Sequence, residues 1–257
     1  MTFLYIRSSI LHSICLVALS SLVLIGCSTI DRGNFGHMKR SLSHTSYGHE
    51  VIQDPTNKAP TDQVERFELR HGDCSSNQTW SDCNNDRERT ELSQQGNNRY
   101  GSSSWYGWYF YVPKSYKNIY PVKVALGQFH QRSESPVFMF QNSSGGLVID
   151  RQANGWSMEK KRVIKRDELR GKWHRIEVHA KWTRNETGFF RVFVNGQEKY
   201  NYQGKTAKKG TYFKYGIYRS FVSRYLGENK IPTQVIYYSG VRKGTNRQSL
   251  EITNQKD

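Results

Sequence analysis

From residue 64 onward, apolar and polar side chains alternate in short runs, each closed by Gly, Asn, Ser or Pro. A period of two is the signature of a pleated strand with one buried face. It predicts strands over 64–71, 105–112, 122–131, 136–141, 147–151, 173–183, 188–194, 211–219 and 234–241. The alternation is clearest over 173–183, where Ile176, Val178, Ala180 and Trp182 fall on one face and Arg175, Glu177, His179 and Lys181 on the other. Asn195-Gly196 then marks a hairpin, because both residues tolerate positive φ. No helix of useful length competes. Residues 159–170 are charged and lack an apolar stripe, so they read as a loop or a short helical turn. With no internal repeat, the pattern predicts one all-β sandwich over residues 62–250 and a polar C-terminal tail over 251–257. Residues 28–61, rich in Ser, Thr, His, Asn, Gly and Lys without a sustained period, read as a flexible polar tether.

The N-terminus follows other rules. Arg7 is the only formal charge before Asp31, and a largely apolar run from Ile10 ends in Leu24-Ile25-Gly26-Cys27. A short positive start, a broken apolar stretch and then small residues make a secretion signal. Leu-Ile-Gly-Cys resembles the bacterial lipobox, which implies a signal peptide over residues 1–26 and a lipid on Cys27. Ser28 in place of Asp then resembles lipoproteins sorted to the outer membrane, so a lipid-anchored protein of the cell envelope is expected. Cys15 leaves with the signal and Cys27 takes the lipid, so Cys74 and Cys83 remain for a disulfide, which persists in an oxidising compartment. A zinc site is the poorer alternative, since two Cys nine apart with no nearby His pair lack metal-ligand spacing.

Composition narrows the partner. The chain of 257 residues carries a formal net charge of +16 and only 36% hydrophobic residues, yet has 16 Tyr, 12 Phe and 6 Trp. So many aromatics exclude a disordered basic tail, and 6 Pro with 21 Gly exclude collagen-like repeats. Removing residues 1–26 takes away only Arg7, so the basic excess belongs to the exported part. An acidic partner is implied: nucleic acid, anionic lipid or a polyanionic sugar. Basic clusters at Lys160, Lys161, Arg162, Lys165 and Arg166, and at Lys205, Lys208 and Lys209, suit the steering of a polyanion, or equally a plain solvated surface.

Three segments carry candidate chemistry. In Tyr212-Phe213-Lys214-Tyr215-Gly216-Ile217-Tyr218, a strand puts Tyr212, Lys214 and Tyr218 on one face, with Gly216 leaving space between cation and phenol. In Gly127-Gln128-Phe129-His130-Gln131, Gln128 and His130 project together, an amide donor beside a proton acceptor. In Arg87-Glu88-Arg89-Thr90-Glu91-Leu92 and Arg66-Phe67-Glu68-Leu69-Arg70, arginines and carboxylates share strand faces and either hold a charged ligand or pair with each other.

In this order and spacing, Arg89-Thr90-Glu91-Leu92, Gln128-Phe129-His130 and Tyr212 to Tyr218 resemble the signature strands of the β-jelly-roll polysaccharide lyases, a group that includes alginate lyases, glucuronan lyases and the heparin lyase I type. Arg66 to Arg70 followed by Gly72-Asp73 is most similar to the heparin and glucuronan branch. The likeness spans residues 64–240. Ser93 stands where the alginate lyase pattern continues with Arg, and Ser220 where it tends to carry Gln, which weighs against alginate more than against lyase chemistry.

The resemblance implies a concanavalin-like β-jelly-roll sandwich with a concave substrate groove, and cleavage of a uronic-acid polymer by β-elimination. It assigns His130 as base and Tyr218 as acid, with Tyr218 as a second candidate base depending on sugar stereochemistry. Gln128 and Arg89 would neutralise the sugar carboxylate, while Lys214, Arg66, Arg70, Tyr212 and Glu91 would bind substrate. Lys214 would also bias the Tyr218 phenol toward ionisation. No cofactor is required, no metal site is expected, and no oxygen-ligand loop indicates a structural calcium. The expected partners are an anionic polysaccharide and, through the lipid, a membrane; a monomer is expected. A non-catalytic concanavalin-like carbohydrate-binding lipoprotein is the main rival, though a lectin has no need of Gln, His, Lys and Tyr on one face. Nucleic acid is set aside for want of a recognised module. A glycoside hydrolase would need a carboxylate pair, and Glu68 and Glu91 are flanked by arginines that suggest salt bridges instead.

Overall fold

The computed structural model describes residues 30–152, 158–228 and 230–252; the expected signal peptide, Cys27 and most of the C-terminal tail lie outside them. The strands, in chain order, are β1 (Met38–Arg40), β2 (His49–Gln53), β3 (Gln63–Leu69), β4 (Arg87–Gln94), β5 (Ser103–Tyr111), β6 (Lys123–Gln131), β7 (Glu134–Ser143), β8 (Gly146–Arg151), β9 (Glu159–Ile164), β10 (Trp173–Lys181), β11 (Phe189–Val194), β12 (Gln197–Gln203), β13 (Thr211–Ser220) and β14 (Gln234–Gly244). They form two seven-stranded antiparallel sheets, ordered β1-β4-β13-β6-β7-β8-β9 and β12-β11-β10-β5-β14-β3-β2. This is a jelly-roll sandwich. Among the described residues the one α-helical turn is Arg166–Leu169, and no helix is long and apolar enough to cross a membrane.

Alternation explains how the sheets face each other. Ile176, Val178, Ala180 and Trp182 are all fully buried, as the period of two predicts. Phe213, Tyr215 and Ile217 of β13 also point into the core, which turns Tyr212, Lys214 and Tyr218 to the opposite face. The core is aromatic. Phe138 of β7 stacks on Phe190 of β11 at 3.7 Å between ring centroids, and Phe129 of β6 meets Trp182 at 4.9 Å. Each fully buried Phe contributes roughly 1.5–3 kcal/mol to folding. The predicted hairpin forms between β11 and β12, with Asn195 at φ 49° and Gly196 at φ 81°. Residues 159–170 divide into β9 and the Arg166–Leu169 turn, so half of that loop is strand.

The expected tether is corrected. From Asp31 onward the chain belongs to the folded unit. β1 pairs with β4, with Met38 opposite Gln94 and Arg40 opposite Leu92, and β2 pairs with β3, with His49 opposite Phe67. Phe35, Met38 and Leu42 are buried, and Phe35 stacks on Phe213 at 5.4 Å. Arg32 ion-pairs with the buried Glu65 and donates from Nε to the Tyr215 hydroxyl at 3.2 Å, which itself donates to Glu65 at 2.7 Å. The segment looked like a tether because its anchors are single apolar residues and ion pairs to distant strands, which leave no local period.

Candidate active site

The outer face of the β1–β9 sheet holds an open groove of about 670 Å³. Antiparallel pairing assembles it from the three motif strands. β13 sits between β4 and β6, with Tyr218 opposite Arg89 and Tyr212 opposite His130. Arg89, Gln128, His130, Tyr212 and Tyr218 all line the groove. The ladder between β13 and β6 shifts register between Tyr215 and Tyr218. Gly216 sits at that bulge with φ 126°, where a Cβ would come within 2.3 Å of the Thr90 carbonyl oxygen. Its role is therefore backbone geometry rather than an opening between Lys214 and Tyr218.

His130 is poised as a proton acceptor. Its Nδ1 lies 2.8 Å from the Gln131 carbonyl oxygen. A carbonyl only accepts, so Nδ1 carries the proton and Nε2 keeps its lone pair. Burial, reinforced by the Lys214 cation, lowers the imidazole pKa from 6.5 to about 4, so the ring is neutral at ordinary pH.

Tyr218 is held differently. Arg87 donates from Nε to the phenol oxygen at 2.7 Å, and the Arg89 guanidinium lies 4.7 Å from the ring centroid. Burial raises the phenol pKa while Arg89 and Arg87 pull against it, so the hydroxyl stays protonated. With Arg87 occupying an oxygen lone pair, the phenol proton is free to be given away. The cations acting on Tyr218 are these two arginines. Lys214, expected in that role, is committed elsewhere.

Beneath the groove runs a buried charge network. Lys214 Nζ pairs with Glu91 at 2.5 Å, and Gln128 Nε2 donates to the other Glu91 oxygen at 2.6 Å. Arg89 takes a bidentate grip on Asp82, both bonds 2.5 Å, and reaches Glu91 at 3.6 Å. Lys214, Glu91 and Asp82 are buried. Burial lowers the Lys214 pKa and the Glu91 carboxylate opposes that fall. Two cations thus face two carboxylates with no net charge left over. Glu91 and Lys214 form the groove's underlayer, a correction to their expected contact with substrate. Gln128 keeps one amide hydrogen for a ligand, and its buried Oε1 has no partner.

Two further expected contacts fall elsewhere. Arg66 lies on β3, in the opposite sheet, and Arg70 follows directly after that strand. Arg66 pairs with Glu68 and with Glu50 at 3.1 Å; Arg70 pairs with Glu68 at 2.6 Å and covers the Tyr47 ring at 3.6 Å. Because Phe67 and Leu69 point into the core, both arginines face outward from the sheet that does not carry the groove.

The disulfide between Cys74 and Cys83 forms, and its loop does more than staple the surface. It brings fully buried Asp82 to Arg89, while Trp80 lines the groove and donates from its indole to Asp82 at 3.0 Å. Arg87, Asp82 and Trp80 are the site residues that sequence reasoning missed. Only Arg87 had a signal, its place two residues before Arg89 on one strand face. Among the described residues Arg87 has no acidic partner, so it is a free cation beside the phenol.

Fold and groove together define a class, the jelly-roll sandwiches with an open groove across one sheet. A family model described as Polysaccharide lyase matches residues 34–242, and the chain belongs to that family. No curated protein matches it. Among solved structures it is similar to endo-β-1,4-glucuronan lyase from the fungus Trichoderma reesei, at TM-score 0.65 and 15% identity, covering 86% of this chain and 96% of that one. It is similar also to alginate lyase AlgAT5 from polysaccharide lyase family 7, at TM-score 0.54 and 17% identity, covering 77% and 82%. A third likeness is to alginate lyase A1-II', a member of the same family 7, at TM-score 0.55 and 13% identity, covering 82% and 95%. At these identities the structural likeness speaks for the fold.

Proposed function

We propose that this polysaccharide lyase cleaves a uronic-acid polymer by β-elimination. The observation that carries the reading is a neutral imidazole and a protonated phenol lining one groove, with an arginine bonded to the phenol oxygen. His130 Nε2 takes the proton from C5 of the uronate. The C4–O4 bond breaks with its electron pair on O4, a C4=C5 double bond forms, and Tyr218 gives its proton to O4. The adjacent carboxylate opposes loss of the C5 proton, so positive charge and amide donors must face it. Arg89 and the remaining amide hydrogen of Gln128 face that carboxylate, the Glu91–Lys214 pair beneath them holds the surface rigid, and Arg87, bonded to the phenol oxygen, is the uncompensated cation that serves Tyr218.

Glucuronan and alginate, named for two structurally similar lyases, are the first polymers to try. The test is a screen of the purified protein against glucuronan, alginate and other uronate polymers, reading the ultraviolet absorbance of the unsaturated product. His130→Ala should abolish that product with little change in thermal transition. Product formed by the variant at wild-type rate would sink the reading.

We propose in addition that the chain is a lipoprotein of the cell envelope, held by a lipid on Cys27. The support is the Leu24-Ile25-Gly26-Cys27 pattern. Membrane fractionation of the wild type and of Cys27→Ala tests it, the variant being expected in the soluble fraction.

A further inference from the structure

One end of the sandwich gathers the loops that follow β4, β6, β10 and β12. Backbone hydrogen bonds tie them together: Asn98 N donates to the Thr211 carbonyl oxygen at 2.7 Å, Arg132 N to Gly210 at 3.0 Å, Gly101 N to Trp182 at 2.9 Å and Thr206 N to Thr183 at 3.0 Å. Arg99, Arg132, Arg184, Lys205, Lys208 and Lys209 stand on these loops, none of them buried. The loops carry one carboxylate, Glu186, which pairs with Lys205 at 3.5 Å. Glu134, at the start of β7, lines the groove instead. Among the described residues Arg99, Arg132, Arg184 and Lys209 have no acidic partner. Positive charge is therefore left over at this end. Arg184, Lys205, Lys208 and Lys209 ring an open hollow of about 360 Å³. Beside it stands Tyr100, 38% exposed, with the Arg184 guanidinium 5.3 Å from its ring centroid. Arg99, Arg184 and Lys209 do not line the catalytic groove.

The chain enters the folded unit at the same end. Asn34 N donates to the Lys243 carbonyl oxygen at 2.9 Å, and Lys243 Nζ donates to Asn98 Oδ1 at 2.8 Å. The leading residues thus sit one side chain away from the loop that bears Arg99 and Tyr100. Asp31, where folded structure begins, comes four residues after Cys27. Fully extended, such a stretch spans at most about 14 Å. The opposite end of the sandwich lies a nine-residue β5 away, about 30 Å at the rise of a strand. A lipid on Cys27 therefore brings the basic end, and not the far one, against a bilayer.

Resting on the lipoprotein reading above, we infer that this end of the sandwich is a membrane-docking face, which binds the phosphate headgroups of an anionic lipid bilayer. The unpaired arginines and lysines meet the phosphates, and Tyr100 sits at headgroup level, where a ring with a polar tip is favoured. Anchor and basic face hold the body at two points and fix its orientation. With that end down, both sheets stand upright on the membrane and the groove opens sideways along it.

The test uses the exported part without lipid, residues 28–257, which holds the whole folded unit and separates the face from the anchor. Sedimentation with vesicles of phosphatidylcholine, alone or in equal parts with phosphatidylglycerol, reads binding. The protein should bind the second kind only, and less as salt rises. Arg99→Ala/Arg184→Ala/Lys209→Ala should weaken binding roughly a hundredfold, each cation near an anionic surface being worth about fivefold. A control, Lys114→Ala/Lys117→Ala/Lys172→Ala, removes the same charge from the far end and should bind nearly as the wild type does. Equal losses in the two variants, or no binding by the wild type, overturn the face. A first variant that keeps its vesicle binding but shows a raised KM for polymer assigns these cations to the sugar and overturns it too. Fractionation of the full chain separates the two readings. Face-dependent vesicle binding by a protein that is soluble in cells keeps the face and sinks the anchor. An anchored chain whose exported part ignores vesicles does the reverse.

Discussion

Arg87 donates a 2.7 Å hydrogen bond from Nε to the phenol oxygen of Tyr218, and no acidic residue among those described neutralises it. The two sit on neighbouring strands, Arg87 opposite Ser220 and Arg89 opposite Tyr218. In the proposed elimination, a cation so placed would stabilise the phenolate left when Tyr218 protonates the departing oxygen. Tyr218→Phe should lower kcat by about 10²- to 10⁴-fold, the usual worth of a positioned proton donor. Arg87→Ala should lower kcat as well, and its effect should largely vanish in the Tyr218→Phe background. Additive losses in the double variant would show that Arg87 acts elsewhere.

Acidity gives a second prediction. With the His130 pKa near 4, the acid limb of kcat/KM should fall below about pH 5 rather than near the ordinary histidine value of 6.5. The sign for stability follows. Between pH 6.5 and 4 the unfolded chain binds a proton at this residue and the folded one does not, so stability rises with pH across that window. Urea melts at pH 7 and pH 4.5 should show a smaller acid loss in His130→Gln than in the wild type.

Asp82 links the disulfide loop to the groove through Arg89. Replacing it by Asn keeps the shape and removes the charge that both Arg89 bonds meet. The variant should lose more activity than stability, with kcat reduced. Cys74→Ser/Cys83→Ser should cost about 2–3 kcal/mol by the loop-closure argument and reduce kcat through the same arginine. An enzyme with wild-type kcat and a lowered melting point would mean that the loop is merely a staple.

The N-terminal segment supplies the fourth prediction. Deleting residues 31–47 should abolish folding or lower Tm steeply, since it strips Phe35, Met38 and Leu42 from the core and uncovers Glu65. The milder Arg32→Ala leaves Glu65 buried with His49 and Tyr215 and should cost about 3–5 kcal/mol, the usual effect of breaking a buried pair. A deletion without effect on Tm would restore the tether reading.

Much of this architecture was legible in sequence because it is written in local periods. Ile176 to Trp182 announce their buried face at a spacing of two, and Asn195-Gly196 announces its turn. Alternation does not say to which sheet a strand belongs. Arg66 and Arg89 look alike in sequence, each two residues before a Glu, yet β3 and β4 lie in different sheets and only Arg89 reaches the groove. Likewise Glu91 and Lys214 are on the groove side of their strands but pair with each other beneath the groove instead of lining it, a matter of cross-strand register rather than of residue type. Asp82 was hidden because a loop residue's partner, seven positions away on a strand, leaves no pattern at all.

The clasp between Arg32, Glu65 and Tyr215 also has a mechanical meaning. Tension entering the folded unit at Asp31 first loads that clasp together with the Asp31–Arg242 ion pair and the backbone bonds to Lys243 beside it, then the three-residue ladder of β1 on β4. Both are short and can yield one bond at a time. The strands bearing Arg89 and Tyr218 are joined by a longer ladder deeper in the sheet. Pulling on the leading end therefore unzips a sacrificial edge before it shears the groove.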